Sequence, residues 1–343
     1  MNTQVALFNT FNIETELGAG GGGTVYKAWH TRLQKHVVIK EYKRGLSCAT
    51  ETRCSEVEAL KNVKSPYLPQ IYDVIAEHGS VFSVMEYIEG ESFDKLLGRG
   101  RIFSPPEVVR WYSQLASALE KLHEKDVCHR DIKPANIMLA PGGDVCLIDF
   151  NAALVKGNSA KFISRSLGYA SPEQYELFER YAQNGKSTRI EASFAVARMA
   201  QVAQRYGFFG DACPDGTDGQ VVECSGEDNK TQLSDSGCLP IISNSAAPAP
   251  YSQPPIPLRL QTAIDWKLSD IYSLGATMHH ILTGKRPQER AANIIAIPKR
   301  DRLNSSITRI ILKSMHPEPK NRFASASELA EAIQHIEKYK TGR

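Results

Sequence analysis

Residues 127–139, with the sequence VCHRDIKPANIML, constrain the fold of this chain more than any other stretch. They place a carboxylate (Asp131), an amine (Lys133) and an amide (Asn136) within six residues. Pro134 prevents this segment from continuing as a regular helix, because proline lacks an N–H and fixes its φ angle. We therefore expect the three polar side chains to lie on a bent loop.

Two short apolar runs, 137–140 and 145–148, follow this loop and are separated by a Pro-Gly-Gly-Asp turn. Because glycine adopts the positive φ angles of tight turns, the pattern predicts a β-hairpin. The hairpin would return Asp149 to the neighbourhood of Asn136. A candidate base and two metal-ligating oxygens would then come together, which a metal-dependent transfer site needs.

The string HRDIKPAN at 129–136, with Asp149 after a hairpin, resembles the catalytic loop of protein kinases. Its lysine, two residues after the aspartate, resembles serine/threonine rather than tyrosine kinases. The SPEQ string at 171–174 is most similar to eukaryotic-like kinases of the bacterial type. The resemblance implies an α+β, bilobal protein-kinase-like fold. Residues 8–88 would form a small antiparallel β-sheet lobe with one helix, and 89–343 a larger, mainly helical lobe.

Residues 18–25 (GAGGGGTV) connect two predicted strands. Glycines in such a turn let backbone N–H groups approach phosphate oxygens without a Cβ in the way. The strand–turn–strand context argues against a dinucleotide-binding fold, in which a helix follows the turn. The stretch resembles the kinase glycine-rich loop, with Gly18, Gly20 and Gly23 in its three positions and Val25 as the residue that covers the adenine.

Lys40 ends the apolar run 37–40, and a lysine at a strand end is by itself most often a solvated surface residue. In register after the glycine-rich loop, it resembles the strand lysine that pairs the α- and β-phosphates. A helix predicted over 51–63 offers two carboxylates to orient that lysine, Glu56 and Glu58. The kinase pattern favours Glu56.

Two further strands are predicted at 67–75 and 81–87, joined by a His-Gly turn. The second resembles the edge that leads into the kinase hinge, with Met85 as gatekeeper. The resemblance implies that Glu86 and Ile88 offer backbone groups to the adenine, because a planar amine-bearing ring suits a C=O and N–H pair.

The resemblance implies ATP as the nucleotide and Mg²⁺, or Mn²⁺ in its place, as the metal. Asn136 and Asp149 would hold the metal, and Asp131 would orient the accepting hydroxyl and take its proton. Lys133 would neutralise charge on the moving phosphoryl group.

Helices are predicted from 105 to about 123, after the cap residue Ser104, and over 269–284, with Ser269 as N-cap and Gly284 as terminator. By the resemblance, Asp270 would brace the catalytic loop through backbone N–H groups. Two more helices are predicted in the C-terminal region, over 306–315 and 325–339. Between them, Arg322 resembles the arginine that pairs with Glu173.

Asn151 stands where the family has glycine after the Asp-Phe pair. Asparagine tolerates left-handed backbone angles better than other non-glycine residues, so we expect the turn to persist. Further along, Ser166 falls where a hydroxyl would bond Asp131 and Lys133.

Ser159 and Ser164 lie in the region that corresponds to the kinase activation segment. They are candidate phosphorylation sites, and Arg130 would be available to pair a phosphate. The alternative is that they are ordinary loop serines.

About 90 residues separate Glu173 from Asp270, which indicates an insertion at about 178–262. Its second half is rich in Gly, Asp, Ser and Pro. Because it emerges beside the segment where a peptide would dock, we expect it to affect the choice of substrate or to bind a partner. The alternative is a tolerated surface loop.

Composition excludes several classes of protein. A net charge of +3 gives no nucleic-acid-binding signature, and no apolar run is long enough to span a membrane. Seven cysteines without CxxC spacing favour reduced thiols and a cytoplasmic location.

The sequence therefore predicts a serine/threonine protein kinase that transfers the γ-phosphoryl group of Mg-ATP to Ser or Thr hydroxyls of proteins, including its own. One alternative is a nucleotide-binding pseudokinase, motivated by Asn151, the bare glycine tip and the insertion. Another is a small-molecule kinase, against which Lys133 and the Ser-Pro-Glu segment argue.

Overall fold

The computed structural model describes residues 10–20, 23–42, 60–77, 80–155, 166–184, 264–287 and 302–341. Outside these ranges lie the candidate residue Glu56, most of the helix predicted around it, Ser159, Ser164, and residues 185–262 of the predicted insertion. The chain divides into two compact units, one formed by Met1–Tyr181 with Ser252–Arg343 and the other by Ala182–Tyr251. Of the second unit, only residues 182–184 are described. The insertion at 178–262 and the division into lobes at residue 88 stay predictions.

A five-stranded antiparallel sheet forms from the N-terminal part of the chain, in the order β1-β2-β3-β5-β4. Its strands are β1 (Phe11–Gly20), β2 (Gly23–His30), β3 (Lys35–Tyr42), β4 (Ile71–Glu77) and β5 (Ser80–Glu86). The predicted α+β class and antiparallel sheet are confirmed. β4 starts four residues later than predicted, because Tyr67 lies in a turn.

The rest of the described chain is mainly helical. Its helices are α1 (Phe93–Gly98), α2 (Pro105–Glu124), α3 (Pro172–Asn184), α4 (Trp266–Thr283), α5 (Arg302–Ser314) and α6 (Ala326–Thr341). Short strands complete it: β6 (Glu91–Ser92), β7 (Val127–Cys128), β8 (Ile137–Leu139), β9 (Val145–Leu147) and β10 (Leu154–Val155). Among the described residues, no helix combines the length and apolar character needed to cross a lipid bilayer.

Helix α2 is the centre of the helical part and packs against α4, α5 and α6. Its predicted apolar stripe is buried and consists of Trp111, Leu115, Ala118, Leu119 and Leu122. At its start, the carboxylate of Glu107 accepts hydrogen bonds from the N–H of Ser104 at 2.8 Å and from its hydroxyl at 2.7 Å. These bonds hold the pKa of Glu107 below its ordinary value. They fix the direction in which the chain enters α2.

Helix α4 begins earlier than the sequence indicates, so the prediction of Ser269 as its N-cap is wrong. Asp265 caps the helix, and its carboxylate accepts the N–H groups of Lys267 at 3.0 Å and Leu268 at 3.3 Å. Ser269 is buried inside the first turns, where its hydroxyl lies 2.8 Å from that of Ser171. Asp and Ser are both favourable N-cap residues, and in this helix Asp265, the earlier of the two, takes the N-cap position. Gly284 ends the helix in a left-handed conformation, as predicted.

A glycine in α4 allows close packing against α5. A Cβ on Gly275 would lie 2.7 Å from the Cβ of Ser314 and 3.1 Å from the Cγ of Met315. We expect Gly275→Ala to lower the free energy of unfolding by about 1–3 kcal/mol through overpacking. Urea unfolding measures this change.

The matched control is Gly98→Ala at the end of α1, where an added Cβ would meet nothing within 4 Å. Because alanine favours helix more than glycine does, this variant should be unchanged or more stable by up to ~1 kcal/mol. Equal unfolding free energies for Gly275→Ala and the wild type would contradict the packing argument.

Candidate active site

The loop after β7 and the hairpin that follows it form as predicted. Pro134–Asn136 make one 3₁₀ turn, and β8 then pairs with β9, with Ile137 opposite Leu147. The N–H of Ile148 donates to the carbonyl of Asn136 at 2.8 Å. Asp149, the next residue, is therefore held beside Asn136. Two oxygen-bearing side chains from separate strand ends are thus brought together.

The carboxylate of Asp131 is held from both sides. Its Oδ1 accepts a hydrogen bond from the Ser166 hydroxyl at 2.6 Å. Its Oδ2 accepts from the Lys133 ammonium at 2.6 Å and from the Asn136 amide at 3.2 Å. Lys133 also donates to the Ser166 hydroxyl at 3.1 Å. The predicted position of Ser166 is confirmed, and the network gives the carboxylate one orientation.

Asp270, in α4, braces the loop that carries Asp131. Its two carboxylate oxygens accept the backbone N–H groups of His129 at 2.8 Å and Arg130 at 2.7 Å. The Nε2 atom of His123 lies 3.1 Å from the same carboxylate. Asp270 is fully buried, so these donors must replace the water that its charge has lost. Arg130 has a φ of 66°, a strained value that the brace stabilises.

His129 ties the loop to the end of the hairpin. It is buried, and burial holds its pKa below the ordinary value, so the ring is neutral. Its Nε2 lies 3.2 Å from the carbonyl oxygen of Ile148. A carbonyl only accepts, so Nε2 carries the proton. The ring centroid of His129 is 5.2 Å from that of Phe150.

Lys40 and Asp149 form a direct ion pair. The register of the sheet places Gly18, Val25 and Lys40 in one row across β1, β2 and β3. The Nζ of Lys40 is 2.6 Å from the Oδ1 of Asp149, and the lysine is only 5% exposed. Burial would raise the pKa of Asp149, but the charge and hydrogen bond of Lys40 outweigh it and leave the pKa lowered. Asp149 is therefore ionised.

The glycine-rich turn lies at the end of the β1–β2 ribbon, where Gly20 pairs with Gly23. Gly23 has a φ of 137°, and a Cβ there would lie 1.9 Å from the carbonyl oxygen of Glu41. Only glycine fits that position. Gly18 has open space around it, so the sheet does not require glycine there.

Comparison with known proteins identifies the family. Residues 11–190, more than half of the 343-residue chain, match the sequence family described as "Protein kinase domain". This chain belongs to the protein kinase family. Asp270 and Arg322 lie beyond the matched segment, so their relation to it rests on the contacts in the fold.

Known relatives include bacterial and animal kinases. A probable serine/threonine-protein kinase of Clostridium acetobutylicum is 33% identical over 175 residues, 49% of this chain and 27% of the relative. Serine/threonine-protein kinase Nek1 of Mus musculus is 32% identical over 179 residues, 50% of this chain and 15% of the relative. A probable serine/threonine-protein kinase of Streptomyces coelicolor is 31% identical over 171 residues, which are 46% of this chain and 25% of the relative. The aligned part spans about a quarter or less of each relative's length.

In this kinase, Asn151 does not have the backbone conformation that the sequence suggests. The positive φ falls on Asp149, at 69°, and not on Asn151. The turn persists, as expected, because the N–H of Ala153 donates to the carbonyl of Phe150 at 3.1 Å, but its left-handed residue is Asp149. The N–H of Asn151 donates to Asp149 Oδ1 at 3.2 Å, while the amide oxygen of Asn151 is buried and has no hydrogen-bond partner among the residues that the structure describes. Such an unsatisfied group costs about 1–3 kcal/mol.

The segment predicted to form the hinge has one backbone donor already engaged. The N–H of Glu86 donates to the carbonyl of Gln70 at 2.8 Å, and its carboxylate accepts the Gln70 N–H at 3.1 Å. Only the carbonyl of Glu86 could therefore face an adenine. Met85 pairs with Val38 across the sheet, and Ile88 follows β5.

The ion pair predicted between Arg322 and Glu173 is present. The guanidinium donates to both carboxylate oxygens, at 2.6 and 2.8 Å. Arg322 is 3% exposed, and its remaining donors bond the backbone carbonyls of Leu268, His316 and Pro317. This pair ties α3 to the segment before α6.

Three residues near the catalytic loop were missed by sequence reasoning. His123 contacts Asp270, the side chain of Gln174 donates to the carbonyl of Arg130 at 3.2 Å, and Trp266 packs against Arg130. A signal existed for His123, which ends an amphipathic helix six residues before His129. Trp266 has no such signal, because no motif or periodicity in the sequence links it to Arg130.

A histidine beside the segment after Ser166 should make stability depend on pH. The hydroxyl of Tyr169 lies 2.6 Å from Nδ1 of His280, and burial, with the charges of Arg286 and His279, lowers the pKa of His280 to about 4. The unfolded state, with a pKa near 6.5, binds more protons between these values. The contribution of His280 to the free energy of unfolding is therefore fully present above pH 6.5 and is lost as the pH falls towards 4.

We expect His280→Asn, which keeps an acceptor for Tyr169 but does not titrate, to show a shallower fall of melting temperature between pH 6.5 and 4. Thermal unfolding across that pH series measures it. Identical slopes for variant and wild type would contradict the assignment.

Proposed function

We propose that this chain is a serine/threonine protein kinase that transfers the γ-phosphoryl group of ATP to hydroxyls of protein substrates, including its own. The observation that carries the proposal is the contact of a hydroxyl with Asp131 and Lys133. Ser166 donates to the carboxylate at 2.6 Å and accepts from the ammonium at 3.1 Å. A substrate hydroxyl needs the same two contacts.

Asp131 orients the accepting hydroxyl and takes its proton as the oxygen attacks the γ-phosphorus. The bond between that phosphorus and the β–γ bridging oxygen breaks, and ADP leaves. Lys133, which already contacts Asp131, neutralises charge on the transferred group. Most of the rate comes from this positioning and charge neutralisation.

The donors at the hairpin suit a hard divalent cation. Asp149 is ionised, and Asn136 turns its amide nitrogen to Asp131, so its oxygen is left for another ligand. Carboxylate and amide oxygens fit Mg²⁺, and Mn²⁺ accepts the same set. When bound, the metal neutralises phosphate charge and holds the phosphoryl group in line.

We propose that Lys40 orients the α- and β-phosphates of ATP and that the carboxylate of Glu56 holds Lys40 in place. In the structure, the Nζ of Lys40 pairs with the Oδ1 of Asp149 at 2.6 Å. The remaining nucleotide contacts that we propose come from the glycine-rich loop and the hinge, namely Gly18, Gly20, Gly23, Val25, Glu86 and Ile88.

The serine/threonine specificity draws support from the relatives, which are serine/threonine kinases by name. Against the pseudokinase alternative, which Asn151 motivates, stand the four charged residues of the site. Asp131, Lys133, Lys40 and Asp149 are all present and mutually positioned by hydrogen bonds.

Removal of the base should abolish transfer. We expect Asp131→Asn to lower autophosphorylation with labelled ATP on the order of 100-fold or more, because the amide cannot take the proton. The control is Asp73→Asn, a mostly exposed aspartate on β4, which should behave as wild type. Equal incorporation by Asp131→Asn and wild type, or none by either, would refute the proposed activity.

We further propose that the insertion governs the choice of substrate or partner and not nucleotide binding. Helix α3 follows the segment after Ser166, and its last residues, 178–184, belong to the predicted insertion. Deleting 185–258 should leave the dissociation constant for ATP nearly unchanged while raising the KM for protein acceptors, whereas Lys40→Met should weaken ATP binding.

Nucleotide titration of the deletion variant and a panel of protein acceptors measure these effects. A large loss of ATP affinity would show that the insertion is structural. An unchanged KM for every acceptor would favour the tolerated surface loop.

A further inference from the structure

The side chain of Arg130 is buried against an aromatic ring. Arg130 is 3% exposed, and its guanidinium carbon lies 4.2 Å from the ring centroid of Trp266. Trp266 is itself 7% exposed. A cation over an indole face is attracted by the ring quadrupole, most strongly where water is excluded. The ring therefore fixes where this guanidinium can lie.

One turn of α4 holds Arg130 at two points. Asp270 accepts the backbone N–H of Arg130, and Trp266, four residues earlier on the same helix, covers its side chain. From α3, the Gln174 amide donates to the carbonyl of Arg130. The strained residue before Asp131 is thus held through its N–H, its carbonyl and its side chain.

Trp266 also joins the elements that surround the catalytic loop. It packs in one buried cluster with Cys128 of β7, Leu154 of β10 and Leu177 of α3. Leu154 pairs with Cys128 across the two short strands. The ring therefore belongs to a buried cluster to which the strand before the loop, the strand after Asp149 and the helix after Ser166 each contribute a residue.

A second anchor keeps Trp266 in place. The neighbouring Lys267 donates to the Asp126 carboxylate at 2.7 Å and to the carbonyl of His123 at 2.8 Å. The start of α4 is thereby tied to the end of α2, just before the loop. The position of the ring follows from the packing of both helices.

We propose that Trp266 is a positioning residue, which holds the catalytic loop through Arg130 without a phosphate on 156–165. This inference rests on the proposed kinase function. In kinases switched by phosphorylation, a phosphate in that segment pairs with arginines and orders the site. Here the guanidinium of Arg130 is already fixed by an aromatic face.

The test compares Trp266→Phe, which keeps an aromatic face, with Trp266→Leu, which keeps only apolar volume. In the full chain, Trp266→Leu should lower kcat about tenfold with the KM for ATP unchanged, and Trp266→Phe should retain most of kcat. Ile333→Ala, which truncates a buried side chain in α6, controls for stability alone and should lower the melting temperature without changing kcat. Equal kcat for Trp266→Leu and wild type would overturn the proposal.

A double-mutant cycle tests whether Trp266 acts through Arg130. Arg130→Leu should lower kcat, and adding Trp266→Leu to it should cause little further loss. Additive losses would mean that the tryptophan acts by another route and would overturn the proposal.

Two further measurements separate this inference from the proposed activity. Amide hydrogen exchange of 127–131 should be faster in Trp266→Leu than in Trp266→Phe, a readout that needs no catalysis. Ser159→Ala with Ser164→Ala should leave kcat unchanged, also after phosphatase treatment. If the double serine variant loses as much kcat as Trp266→Leu does, the site depends on phosphate and the proposal is refuted. If the wild type itself is inactive, the kinase function is refuted, and the hydrogen-exchange result alone decides whether Trp266 positions the loop.

Discussion

The buried carboxylate of Asp270 is the interaction on which the site depends. It accepts the N–H groups of two successive residues, His129 and Arg130, in a segment whose backbone is strained. Without it, two buried donors would lose their partner, and the positive φ of Arg130 would have no compensation. The carboxylate is itself stable in the core only because those donors and His123 surround it. Loop and brace therefore require each other.

This dependence explains the arrangement of the helical part. The kinase family match ends at residue 190, yet two residues that support the catalytic loop, Trp266 and Asp270, come from α4, far beyond it. The Arg322–Glu173 ion pair likewise joins the matched segment to the C-terminal region. The chemistry-bearing side chains come from one part of the chain, and part of their support comes from another.

The reactive groups could be predicted from the sequence because they lie close together in the chain. The spacing of Asp131, Lys133 and Asn136, with a Pro-Gly-Gly turn before Asp149, specifies their geometry almost locally. Asp270 and Arg322 required a family pattern as well, since their partners lie about 140 to 150 residues away.

Where sequence reasoning failed, two local solutions competed or a contact was remote. Both Asp265 and Ser269 are good helix caps, and tertiary packing selected the first. The left-handed residue near Asn151 is Asp149. Its carboxylate accepts hydrogen bonds from the Lys40 ammonium and from the N–H of Asn151. The contact of Trp266 with Arg130 has no periodicity or motif to reveal it.

The distance in sequence between His129 and Asp270 has a consequence for biosynthesis. A ribosome makes the catalytic loop 141 residues before it makes the brace. Until Asp270 has emerged, His129 and Arg130 lack the acceptor that keeps their backbone in place. A nascent chain, or one terminated early, therefore carries every reactive side chain up to Asp149 and still lacks an ordered active site.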